Sequence, residues 1–143
     1  MPVESRLFVK ASLLWLCAAF AFGAARLILN AAGQPAHYNF SDVHAHMGFV
    51  GWLVNLVMGI ALWFLPVNRQ KFPENRGRYP QGMARAIFAM LNIGLVLRVI
   101  FEPLADRGGP VQMYSAMLVA SALFQLAAVI LFATIAWARV RQV

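Results

Sequence analysis

In the stretch DVHAHMGFVGW, residues 42 to 52, two imidazoles stand one residue apart just before a long apolar run. With His37 and Asp42 they gather four nitrogen and oxygen donors within ten residues, a set that suits copper or zinc. The H-x-H spacing serves such a metal best in an extended segment, where alternate side chains share a face. A helix gives a different chemistry. Steps of three and four residues from His44 lead through Gly48, Gly51, Asn55 and Gly59, so one helical face is almost bare of side chain. Such a face admits either a tightly packed neighbouring helix or a flat macrocycle with His44 above it as axial ligand. On a regular helix His46 is turned by about 200° from His44, so the two cannot serve one metal from the same face.

The elements that must position these residues are membrane spans. The chain has 143 residues, 62% of them hydrophobic and 12% charged, with a formal charge of +7, and its mean hydropathy is +0.68. Soluble domains lie far from that composition. Four apolar runs reach the roughly 20 residues that a helix needs to cross the hydrocarbon. They fall near 8–29, 44–66, 82–103 and 112–137. The breaks NAAGQPAHYNFSD, LPVNRQKFPENRGRYPQG and EPLADRGGP concentrate proline, glycine and charge. The expected fold class is therefore an all-α membrane protein of four transmembrane helices, a single domain over residues 1–143.

Charge sets the orientation. With both termini on one side, that side carries Arg6, Lys10, Arg69, Lys71, Arg76, Arg78, Arg85, Arg139 and Arg141, against Arg26, Arg98 and Arg107 on the other. Both termini are then expected in the cytoplasm, with the histidine cluster on the periplasmic side of an inner membrane. The clustering of basic residues between apolar runs argues against nucleic acid as a partner. The basic start and the small residues of AFAFGAA also resemble a signal peptide, but the apolar stretch runs on through LILN and reads better as an uncleaved helix. Cys17 is the single cysteine, so no disulfide forms within the chain.

Polar residues inside the spans are few. Asn55, Asn92 and Gln125 each stand near the centre of a span, and interhelical hydrogen bonding is the expected use of such amides. Arg98 and Glu102 lie one turn apart and read as an interfacial ion pair. Arg98 or Arg26 could instead hold a carboxylate of a cofactor, such as a haem propionate. No serine, cysteine or carboxylate sits with a base at a spacing usable for hydrolysis or group transfer.

HAHMGFVGWLVNLVMGIALWFLP resembles the second transmembrane helix of subunit I of the haem-copper oxidase superfamily, particularly its nitric-oxide-reductase and cbb-type branches and related membrane haem proteins. The matching elements are His44 or His46, Trp52, Met58-Gly59 and Trp63 to Pro66; LNIGLVLRVIFEP and ALFQLAAVILFATIAWARVR are similar to other helices of that group. The resemblance implies a haem b whose axial ligand is His44, with His46 as second choice. It departs from the family in size. Subunit I has about twelve helices and several further histidines, so a complete oxygen- or nitric-oxide-reducing centre cannot form from one copy of this chain. Because the oxidase core is a pseudo-threefold arrangement of four-helix arcs, the resemblance implies a homo-oligomer, a trimer before a dimer.

The sequence thus points to a membrane haem-b protein of electron transfer or small-gas (oxygen or nitric oxide) binding, rather than an enzyme. His44, His46, Gly48, Gly51, Asn55, Arg26 and Arg98 are the expected cofactor residues. A histidine of another copy, Met47, Met58, Met113 or Met117 could take the sixth position, or it stays open. Two other readings remain: an outer-face copper or zinc site of His37, His44 and His46, and a structural accessory subunit without cofactor.

Overall fold

The computed structural model describes residues 1–34, 40–107 and 110–140. Among them all regular structure is helical: α1 (Val3–Ala31), α2 (Phe40–His46), a π-helical segment (Met47–Val54), α3 (Asn55–Phe64), a short 3₁₀ turn (Pro73–Asn75), α4 (Gln81–Ala105) and α5 (Val111–Arg139). α2, the π segment and α3 run on as one span, Ser41–Phe64, and with α1, α4 and α5 they give four helices long and apolar enough to cross a membrane. All four expected spans appear as helices; the first, third and fourth extend past the apolar run at each end, and the second ends at Phe64, two residues before the expected bound. The second starts at Phe40 rather than near residue 44. Asp42 lies in its first turn, where a carboxylate favours the helix N-terminus, and Arg26 of α1 donates to Ser41 Oγ at 3.0 Å.

The helices alternate in direction. At one end Glu4 of α1 meets Arg85 of α4, with both Nε and Nη2 3.2 Å from Oε1, and Arg139 of α5 meets the last carbonyls of α3. α1 packs along the π segment and α3, and α4 pairs mainly with α5. Gly94 lets α4 and α5 approach: a Cβ there would lie 2.9 Å from the Ser121 carbonyl, and Ser121 Oγ donates to Gly94 O at 2.6 Å. The larger core cluster, which includes Phe8, Leu62, Ile87, Leu91 and Ile135, fills the arginine-rich half. Ala19, Val43 and Met47 form a smaller one toward the histidines.

Two of the three amides within the candidate spans pair helices as expected. Asn92 Nδ2 donates to Asn55 Oδ1 at 3.1 Å, and Trp15 Nε1 donates to Asn92 Oδ1 at 3.0 Å, so α1, the second span and α4 are joined through one polar node. Gln125 instead donates to Ser121 Oγ within its own helix, at 3.4 Å. Asn55 also donates backward to Gly51 O at 3.0 Å and Val50 O at 3.3 Å, giving two carbonyls of the widened turn a side-chain donor. Asn55→Leu and Asn92→Leu, made singly and together and unfolded in detergent, are expected to show a coupling of about 0.6–1.7 kcal/mol. Strict additivity would mean the node does not hold the helices together.

Candidate functional site

The two histidines share a regular helix, α2, and that fact decides their roles. His44 faces α1. A Cβ on Gly23 would come within 3.0 Å of His44 Cε1 and 3.5 Å of Nδ1, so only a glycine lets the imidazole lie against that helix. His46 faces α4. Its Nδ1 is 2.7 Å from the Asp42 carbonyl and 3.9 Å from Glu102 Oε2, while Glu102 Oε1 is 3.5 Å from Arg98 Nε. The expected Arg98–Glu102 pair is therefore present, and His46 extends it across to the second span.

His44 stands at the wall of a cleft of about 640 Å³ between α1 and the second span. Leu16, Phe20 and Leu27 line it from α1, and Gly48, Phe49 and Trp52 from the other side. The volume lies inside the range of about 300–1,000 Å³ usual for small-molecule and cofactor sites. Its walls are almost wholly apolar, and His44 is the one ionisable residue among them. Gly48 opens onto free space: a Cβ there would meet nothing within 4 Å.

The bare face read from the sequence is shorter than expected. A Cβ on Gly51 would lie 2.7 Å from Trp15 Cγ, and one on Gly59 would lie 2.8 Å from Phe8 Cβ and 3.1 Å from the Ser5 carbonyl. At those two positions α1 fills the groove, as helix packing on small residues requires. Asn55 is fully buried in the amide node. The π segment is the reason. Its i→i+5 bonding turns each residue less than an α-helix does, so the face holding His44 and Gly48 continues to Trp52 and Leu53, while Gly51 and Asn55 turn inward. Of the four residues expected below His44, Gly48 alone lines the cleft.

Other expected site residues fall elsewhere. Arg98 is engaged with Glu102 and is not among the cleft's lining residues. Arg26 is not among the lining residues either; it follows Gly23 and Ala24, which do line the cleft, by less than a turn on α1 and is bonded to Ser41. His37 lies outside the described residues. The extended H-x-H arrangement that a copper or zinc site calls for is absent, because both histidines are helical, and among the described residues no three His, Cys, Asp or Glu side chains gather to hold a metal.

Gly23 and Phe20 escaped the sequence reading. The small residues of AFAFGAA carried the signal, since a small residue on α1 level with His44 is what an imidazole between two helices needs. No family model, curated protein or solved structure matches this chain.

Proposed function

We propose that this chain is a membrane haem-b-binding protein of electron transfer or small-gas binding, with the cofactor in the cleft between α1 and the second span and His44 as its axial ligand. The observation that carries the reading is the juxtaposition of a lone imidazole with a bare glycine on an apolar wall: His44 beside Gly23, and Gly48 opening onto empty space. A haem needs an axial nitrogen, a dry pocket and a cation for its propionates; His44, the leucine and aromatic walls, and Arg26 match those needs. Bound there, it would supply one-electron chemistry and an iron site for a gas. The chain's own part is to present the imidazole, exclude water and hold a carboxylate at the mouth.

Orientation and assembly belong to the same proposal. The arginine bias puts both termini in the cytoplasm and the His44 end on the periplasmic side of an inner membrane. Among the described residues the cleft walls hold no second imidazole or thioether, and in this proposal a six-coordinate iron takes its other ligand from a second copy in a homo-oligomer, a trimer or a dimer.

The test is an optical spectrum of the detergent-purified chain from haem-replete cells, before and after dithionite. A Soret band with sharp reduced α and β bands is expected, and a shift with carbon monoxide would mark an open sixth position. A colourless preparation would overturn the reading and leave a structural role for the histidines.

A further inference from the structure

At the opposite end from His44, a cavity of about 530 Å³ opens between the first turns of α1 and α4 and the loop after α3. Four arginines line it, Arg6, Arg76, Arg78 and Arg85, against two carboxylates, Glu4 and Glu74. Glu4 is buried and already held by Arg85. Arg6, Arg76 and Arg78 are exposed and make no ion pair among the described residues. Three guanidinium groups thus face one concavity with the single exposed carboxylate of Glu74 to offset them.

The loop holds two of these arginines in place. Asn68 N donates to Gly77 O at 2.6 Å, Gly77 N to Phe72 O at 2.9 Å and Arg78 N to Asn75 O at 3.1 Å. Arg76 stands in the left-handed region at φ 54°. A Cβ on Gly77, at φ 81°, would lie 2.8 Å from Arg69 N, so the turn tolerates glycine alone there.

Further donors converge on the cavity. Neither α1 nor α4 has a side-chain N-cap, so each presents unbonded first-turn N–H groups and the positive end of its dipole. Tyr79 lines the wall, 2% exposed, and its hydroxyl has no hydrogen-bond partner. The Ser5 hydroxyl is its polar side-chain neighbour. Burial pushes the Tyr79 phenol above its usual range, so it stays protonated.

We infer that this cavity binds the phosphate headgroup of an anionic phospholipid. Guanidinium forks match phosphate oxygens, and basic pockets at helix ends on the arginine-rich side of membrane proteins receive such headgroups from the adjoining leaflet. The inference depends on the chain spanning a membrane and is independent of the haem reading.

The test uses the full chain in bilayers with spin-labelled phosphatidylglycerol and phosphatidylcholine, comparing their association by electron paramagnetic resonance. Wild type is expected to prefer phosphatidylglycerol, and Arg6→Ala with Arg78→Ala to lower that preference about tenfold. Removing the same charge outside the cavity, with Lys10→Ala and Lys71→Ala, is expected to leave it within about twofold. If the two pairs reduce the preference equally, the attraction is diffuse and the site is refuted. If inorganic phosphate displaces the labelled lipid from wild type and stabilises it against heating, the cavity takes free phosphate and the lipid assignment is wrong. Should the double variant fold poorly, two single variants replace it: Arg76→Asn, suited to a left-handed position, is expected to lower the preference, and Arg78→Lys, which keeps the charge, to retain most of it.

Discussion

His44→Ala is expected to yield a folded protein without the haem absorption bands proposed for wild type, while His46→Ala keeps them. The two residues are only two apart, yet α2 turns them to different helices. His44 lies against Gly23 at the cleft wall. His46 Nδ1 is tied to the Asp42 carbonyl and neighbours Glu102, so its loss alters the α2–α4 contact and not the cleft. A second pair of variants separates binding from folding. Gly48→Leu adds a side chain where nothing lies within 4 Å, so it should fill the cleft and abolish haem retention with an unchanged unfolding temperature. Gly59→Leu drives a side chain into Phe8 and the Ser5 backbone and should destabilise the helix pair by about 1–3 kcal/mol or more. Haem bands that survive both His44→Ala and Gly48→Leu would locate the cofactor elsewhere.

Arg139→Ala is expected to destabilise the protein by about 2–4 kcal/mol, measured by unfolding in detergent. Arg139 ends α5 yet is 2% exposed. Its Nη1 donates to Leu62 O at 2.9 Å and its Nε to Pro66 O at 3.1 Å, with Leu65 O taking a third bond. These include the orphan carbonyls at the end of α3, and in a mostly apolar setting their loss of a charged donor is costly. The guanidinium also lies 5.3 Å from the centre of the Tyr79 ring, within cation–π range. Lysine should recover only part of the loss, because one ammonium cannot fork to three carbonyls as a planar guanidinium does. An Arg139→Ala variant as stable as wild type would mean that water serves those carbonyls equally well.

The sequence by itself determined the features that depend on one stretch of chain. Four apolar runs long enough to span hydrocarbon became four helices, because apolar length and the need to satisfy backbone groups leave little choice. The ion pair of Arg98 and Glu102 followed from a spacing of four, and the divergence of His44 and His46 from helical geometry alone. Tertiary structure decided what depends on which helix comes close and at what register. The π segment sends Gly48 to the cleft and Gly51 inward, a shift that no 3.6-residue count contains. Trp15 and Phe8, 36 and 51 residues before the glycines they meet, close the lower groove, and Gly23 makes room for the imidazole. Arg139 reads in the sequence only as a basic residue marking orientation, and its place under the end of α3 emerges from packing. Contacts of this kind are set by shape between distant segments, whereas helix length and local pairing are set within a few turns of chain.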